Sequence, residues 1–301
     1  MKIVYFGTSE FAVPALEKLA EHVVLVVTQP DRPSGRGMKL KSSPVKLKAI
    51  ELGLPLETPE RARDPEFVQR IQELEADVHV VAAYGQILST KLLETAKRGG
   101  INLHGSILPE YRGAAPIQRA IMDGKTETGV TLMQMDKGMD TGDIIDIIHT
   151  PIGPDETYGE LHLRLSLIAA AQIEGWIDRI VTGDYPRLPQ DHERATYAAK
   201  ISNEEREINL ERDARDEYNR YRGLSPYPGV AINTRYGKLK LLEIRFMTDS
   251  PDLLVGELSY AQQTVIGATN GSFELVRVLP EGKRPMSGRE WVANLRSVGK
   301  C

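Results

Sequence analysis

Short apolar runs alternate with amphipathic stretches through residues 1–155, and that rhythm restricts the fold more than any other feature of the chain. The runs are Lys2–Gly7, Val23–Thr28, Val78–Ala83 and Gly100–His104. Each is close to continuous Val, Ile or Leu rather than alternating apolar with polar. Strands of that kind are buried on both faces, which places them in a parallel sheet with helices on either side. The intervening stretches carry helical periodicity. Phe11, Ala15, Leu16 and Leu19 line one face of Phe11–Glu21, and further helices are read at Pro44–Leu52, Asp64–Leu74, Thr90–Thr95 and Ala114–Met122. A short extended piece is read at Leu54–Leu56. Thr128–Met135 and Gly142–Ile152 read as a strand pair at one edge of the sheet, followed by a long helix over Thr157–Val181.

The pattern then changes. Residues 184–206 hold Pro186, Pro189 and a polar, charged run, and read as a linker. Beyond a helix near Ala214–Tyr221, short alternating segments appear at Val230–Arg235, Lys238–Phe246, Leu253–Ser259, Gln263–Ala268 and Ser272–Leu279. Gly, Pro, Asn and Asp separate them, as in a small antiparallel barrel of OB type. The expected class is therefore α/β: a Rossmann-like, mostly parallel sheet over 1–183, a linker over 184–206, and an OB-like barrel over 207–301.

Several functions are disfavoured at once. Phe6-Gly7-Thr8-Ser9-Glu10-Phe11 supplies one glycine where a dinucleotide turn needs three, and no phosphate-cradling G-x-x-x-x-G-K-[ST] occurs. No apolar run approaches the roughly 20 residues of a membrane span. No signal peptide is visible at the N-terminus. Cys301 is the single cysteine, so an internal disulfide is impossible and a reducing cytoplasm is expected. His22, His79, His149, His162 and His192 lack metal-ligand spacing and read as surface or capping residues. Trp176 and Trp291 read as core anchors, and Tyr227 as packing a turn.

Chemistry concentrates in Ile101-Asn102-Leu103-His104-Gly105-Ser106-Ile107-Leu108-Pro109. Residues two apart on a strand share a face, so Asn102 and His104 project together. Taken alone, they could equally be a core histidine and an amide capping a turn. The glycine-rich loop Met135–Asp143 carries Asp136, Asp140 and Asp143. It could be a solvated turn. One of its carboxylates beside His104 would instead orient the imidazole and stabilise its protonated form. Gly105-Ser106-Ile107 lacks the G-x-S-x-G elbow of a serine nucleophile.

Asn102-Leu103-His104-Gly105-Ser106, with Leu108-Pro109 and the downstream Asp140-Thr141-Gly142, resembles the signature of the folate-dependent formyltransferases. Thr28-Gln29-Pro30-Asp31-Arg32-Pro33, Ala83-Tyr84-Gly85 and Tyr111-Arg112-Gly113-Ala114-Ala115-Pro116-Ile117-Gln118 resemble its methionyl-tRNA branch. The resemblance implies formyl transfer from 10-formyltetrahydrofolate to methionyl initiator tRNA, with Asn102, His104 and Asp140 as the catalytic trio and no metal. It implies folate contacts at Ser106, Ile107, Leu108 and Pro109, where Ile107 replaces the family's Leu, and along the backbone at Ala83, Tyr84, Gly85 and Ile87. An asparagine amide and a protonated histidine suit the negative charge that develops on a formyl oxygen under attack by an amine. A sugar-nucleotide N-formyltransferase would share this head and use a different amine. A non-enzymatic tRNA-binding protein on the same scaffold would tolerate loss of His104.

The charge pattern fits a nucleic-acid partner. Residues 1–206 carry 24 Lys and Arg against 30 Asp and Glu, and residues 207–301 carry 14 against 12, so an acidic body precedes a mildly basic tail. Arg32, Arg36, Lys39, Lys41, Lys46 and Lys48 lie in one span without an acid, and Gly35 and Gly37 loosen its tip. Such a span grips phosphate or is simply a solvated loop. The resemblance assigns Arg32, Arg36, Lys39 and Lys41 to the tRNA acceptor arm. Lys200 in the linker is either a further backbone contact or an ordinary surface lysine. In the tail, Arg220, Arg222, Arg235, Lys238 and Lys240 are candidates for a basic face. A soluble monomer is expected.

Overall fold

The computed structural model describes residues 1–34, 39–248, 253–260 and 262–297. The chain divides into two compact units. The first takes in Met1–Pro116, Thr128–Thr150 and His162–Ala198, and the second Ile117–Glu127, Pro151–Leu161 and the chain from Ala199 onward. The stretch read as a linker is therefore split, with residues 184–198 packed into the first unit. The physical reason is a set of hydrogen bonds along that stretch, described below.

The strands of the first unit are β1 (Ile3–Gly7), β2 (Val23–Val27), β3 (Arg32–Ser34), β4 (Lys39–Lys41), β5 (Leu56–Glu57), β6 (Val78–Ala82), β7 (Gly100–His104), β8 (Arg112–Gly113), β9 (Glu127–Gln134), β10 (Ile144–Pro151) and β11 (Tyr197–Ala198). Its helices are α1 (Val13–Leu19), α2 (Pro44–Glu51), α3 (Pro65–Glu73) and α4 (Thr90–Leu93); α5 (Pro116–Met122) belongs to the second unit apart from Pro116, and α6 (Tyr158–Thr182) belongs to the first from His162 onward. The central sheet runs β10-β9-β7-β6-β1-β2-β5. Its strands from β7 to β5 pair in parallel, and β9 pairs antiparallel to β7. All five residues of β1 and of β6 are buried, as continuous apolar strands require. Val4, Phe6, Val27, Phe67, Ile71, Val81, Tyr84 and Leu92 fill one side of the sheet. Gly7 lets α1 approach: a Cβ there would lie 2.8 Å from the Cβ of Ala12.

His79 departs from expectation. It lies on β6, fully buried, with Nε2 2.8 Å from Thr95 Oγ1 and its ring edge-on to Phe6. Burial holds its pKa down at about 4. Trp176 is buried on α6 as expected, its indole N–H donating to Asp146 Oδ2 at 2.8 Å.

The second unit is antiparallel. Helix α7 (Ala214–Leu224) is capped by Asp213, whose side chain accepts from the N–H groups of Arg215 and Asp216. The strands are β12 (Val230–Thr234), β13 (Gly237–Met247), β14 (Leu258–Ser259), β15 (Val265–Ala268), β16 (Gly271–Pro280) and β17 (Met286–Ser287), ending in α8 (Gly288–Ser297). The ladder runs β12-β13-β16-β15-β14, with β17 on β16. Tyr218, Tyr221, Leu224, Phe273 and Trp291 belong to one core, so Trp291 does anchor the last helix. The strand read over Leu253–Ser259 shortens to Leu258–Ser259. Tyr227 is 75% exposed and packs no turn.

Candidate active site

Strand β7 sets two of the three candidate catalytic side chains. Asn102 and His104 are separated by Leu103, which points the other way into the core. The third, Asp140, arrives on the loop between β9 and β10. That loop leaves at the start of β7, where Met135 N–H donates to the Gly100 carbonyl at 2.8 Å. It then turns back along the strand. Asp136 stiffens the turn, its Oδ1 accepting from Gly138 N–H at 2.9 Å and Thr141 Oγ1 at 2.7 Å.

The three side chains meet. Asn102 Nδ2 donates to Asp140 Oδ1 at 3.3 Å, and His104 Nδ1 stands 3.7 Å from Asp140 Oδ2. The second distance is too long for a hydrogen bond. His104 Nε2 lies 2.9 Å from the Tyr111 carbonyl, which can only accept, so Nε2 carries a proton. Nδ1 is left on the side shared with Asn102 and Asp140. Gly113 N–H donates to Asp140 Oδ2 at 2.9 Å. The Tyr111–Gly113 segment thus touches two of the three, His104 through a carbonyl and Asp140 through an amide.

Residues 105–109 are held just as firmly. Ser106 is fully buried, and its hydroxyl donates to the Glu110 carbonyl at 2.7 Å. Thr131 Oγ1 donates to the Ser106 carbonyl at 2.6 Å and accepts from Leu108 N–H at 3.1 Å. Leu108 is buried, while Ile107 and Pro109 are half-buried. Ser106 and Leu108 therefore shape the segment, and Ile107 and Pro109 are the side chains it can offer a ligand.

The loop after β6 shows the same division. Ala83 and Gly85 are exposed and left-handed, at φ +43° and +86°. Ile87 is 79% exposed. Tyr84 points into the core, where burial pushes its phenol up, and its carbonyl accepts from Thr8 Oγ1 at 2.7 Å and Gln29 Nε2 at 3.3 Å. Its side chain packs in the core, which leaves its backbone as the part at the loop. Gln86, which nothing in the sequence singles out, pins the loop by accepting from Ala62 N–H at 2.8 Å and donating to the Pro59 and Glu60 carbonyls.

The basic span is paired on either side of residues 35–38, which lie outside the described residues. Strands β3 and β4 form an antiparallel hairpin with Arg32 opposite Lys41 and Ser34 opposite Lys39. Arg36 lies outside the described residues. Lys46 pairs with Asp31 at 2.8 Å and holds that carboxyl below its usual range, and Lys48 pairs with Glu17 and Glu51. These two lysines are absorbed locally. Arg32 meets the exposed Glu60 at 3.1 Å, and Lys41 is exposed. Like charges facing each other across a hairpin destabilise it, and an anion between them would relieve that cost.

In the second unit, Lys200 is exposed, and its carbonyl accepts from Arg119. Arg222 leaves the set of candidate surface cations. It is buried and donates to the Gly153 and Glu156 carbonyls and to Asn219 Oδ1. Arg220 stands 3.4 Å from the buried Glu217.

The family model described as Formyl transferase matches residues 1–173, and Formyl transferase, C-terminal domain, matches 200–296. A methionyl-tRNA formyltransferase of Sorangium cellulosum is 46% identical over 300 residues, covering 97% of this chain and 96% of the relative. One from Symbiobacterium thermophilum is 45% identical over 300 residues, covering 97% and 92%. Among solved structures, an N-formyltransferase of Helicobacter canadensis in complex with folinic acid and dTDP-3-aminofucose superposes with TM-score 0.67 at 19% identity, over 91% of this chain and 99% of that one. The last is a likeness of fold.

Proposed function

The chain belongs to the methionyl-tRNA formyltransferase family, and from that premise we propose that it transfers the formyl group of 10-formyltetrahydrofolate to the α-amino group of methionyl initiator tRNA. The observation that carries this reading is the convergence of Asn102, His104 and Asp140, with Nδ2–Oδ1 at 3.3 Å and Nδ1–Oδ2 at 3.7 Å.

10-Formyltetrahydrofolate supplies an electrophilic formyl carbon. As the amine attacks that carbon, negative charge grows on the formyl oxygen. Asn102 has a second amide hydrogen to direct at it, and His104 donates from Nδ1 when protonated. Preorganised donors of this kind are worth about 2.7–4 kcal/mol of barrier each. Asp140 faces both, holds the imidazole in place and accepts the proton that the amine must lose. That proton is then available to the departing folate nitrogen, so no net proton is gained or lost. Tyr111 keeps Nε2 occupied and so directs the reactive chemistry to Nδ1.

Ile107, Pro109 and the Ala83, Tyr84, Gly85 and Ile87 backbone are the proposed folate contacts, with the Ser106 and Leu108 side chains shaping them from behind. Arg32, Arg36, Lys39, Lys41 and Lys200 are the proposed tRNA contacts. We take the enzyme to act as a cytoplasmic monomer; a single species of about one chain mass in sedimentation is the matching result. A sugar-nucleotide amine acceptor has only a fold likeness behind it, whereas full-length similarity to the methionyl-tRNA enzymes spans the antiparallel unit as well. Incubation with 10-formyltetrahydrofolate and methionyl-tRNA should yield formylmethionine from the initiator species and not the elongator. Formylation of an amino-sugar nucleotide in place of the tRNA would reverse the assignment.

A further inference from the structure

Residues 184–198 supply a buried amide behind Asp140. Gln190 is 6% exposed and Arg112 2%. Gln190 Nε2 donates to the carbonyls of Asp140 at 2.9 Å and Gly142 at 2.7 Å. Its Oε1 accepts from Arg112 Nε at 3.0 Å and Nη2 at 2.6 Å. Both amide hydrogens and both acceptor positions are used. The orientation is unique, because a flipped amide would set its NH₂ against a guanidinium that can only donate. Arg112 Nη2 also meets His192 Nδ1 at 3.0 Å. Farther along the segment, Thr196 Oγ1 accepts from Tyr111 N–H at 2.8 Å, and β11 pairs with β8.

What this amide grips is a strained turn. Asp140 sits at φ +54°, a left-handed conformation that costs an L residue about 1–2 kcal/mol. Gly142 is confined too, since a Cβ there would lie 1.9 Å from the Gln134 carbonyl. Such conformations persist only where the surroundings over-determine them. Gln190 binds the carbonyl at each end of the turn. Arg112, which orients Gln190, precedes the Gly113 N–H that holds the Asp140 carboxylate.

We infer that Gln190, oriented by Arg112, is a positioning residue for formyl transfer, acting through the Asp140–Gly142 backbone to aim the Asp140 carboxylate at Asn102 and His104. It touches no reacting atom. The inference rests on the role proposed above for Asp140.

Gln190→Glu keeps the shape and the Arg112 partnership but turns two donors into an acceptor facing two carbonyls. In the full-length enzyme it should lower kcat about 100-fold, the scale of an ångström-sized misplacement of a reacting group. KM for 10-formyltetrahydrofolate and for methionyl initiator tRNA should stay within about twofold. The deciding measurement repeats the substitution in an Asp140→Asn background, by single turnover. A residue acting through Asp140 has little left to lose there, and the effect should shrink to about twofold or less. The same loss in both backgrounds, or a rise in both KM values, overturns the proposal. Gln190→Ala serves if the Glu variant does not fold, with the same dependence on background. Full activity of Asp140→Asn alone would remove the role of Asp140 and the positioning role with it. Collapse of Asp140→Asn beside an unimpaired Gln190→Glu would remove the positioning role only.

Discussion

The proposed catalytic trio and the basic hairpin are both polar regions of the first unit, built on opposite terms. Around Asn102, His104 and Asp140, polar atoms have protein partners, and the supporting Arg112 and Gln190 are buried. In the hairpin, Arg32 and Lys41 face each other across two strands, and both are exposed. The contrast fits the targets proposed for the two regions. A developing charge on one oxygen calls for donors already in place, which cost nothing to reorganise during reaction. A phosphate backbone offers repeated, mobile charges, which accessible cations meet by displacing counterions.

The sharpest way to break the contrast is to remove a donor from the rigid side. His104→Ala should lower kcat by roughly 10²–10³-fold with KM for 10-formyltetrahydrofolate little changed. A loss confined to KM would mean that the trio binds rather than reacts.

Acid should find the rigid side first. His79 is held at about 4 against an ordinary 6.5, so the folded protein keeps it neutral while the unfolded chain takes up a proton. The associated stability is complete above pH 6.5 and is lost as pH falls toward 4, on the order of 3 kcal/mol in all. Urea unfolding across that window should show this slope, and His79→Leu should flatten it. An unchanged slope would mean that the ring escapes burial before it titrates.

In the second unit, Arg119 holds the Glu205 carboxyl down at about 2, against 4.5. Stability from this pair is present above pH 4.5 and lost as pH falls from there toward 2. The antiparallel unit should therefore lose this contribution at lower pH than the parallel one loses that of His79. Tryptophan fluorescence follows both, through Trp176 in one core and Trp291 in the other.

The smallest effect belongs to the open side. Lys41→Ala should leave kcat near wild type and lower the slope of log kcat/KM against log salt by about 1, the share of one phosphate contact. A large fall in kcat with no change in slope would show the hairpin to be part of the chemical machinery.

The sheet and the shared face of Asn102 and His104 were legible in sequence because each leaves a local signature, whereas Asp140 was one of three carboxylates in its loop and only the family resemblance singled it out. Continuous apolar runs mark β1, β2, β6 and β7, and the i, i+2 spacing puts Asn102 and His104 on one face. His79 was not legible, since nothing local separates a histidine on a buried strand from one at its end. The hairpin was hidden by Gly35 and Gly37, which signal looseness without showing that the flanking residues pair. Gln190 was the deepest omission. It lies between Pro189 and Asp191 in a polar run with no periodicity, and its role comes from bonds to Asp140 and Arg112, 50 and 78 residues away in sequence. A segment that contributes through distant partners leaves no pattern of its own.

The pairing of Tyr197–Ala198 with Arg112–Gly113 bears on any effort to make a minimal catalyst. A cut after residue 183, where the composition changes, would spare the seven-stranded sheet and every member of the trio while discarding the amide that grips the Asp140 turn. Such a fragment should fold and turn over poorly. The shortest piece worth expressing ends no earlier than Ala198, because that last short strand is part of the tool rather than its handle.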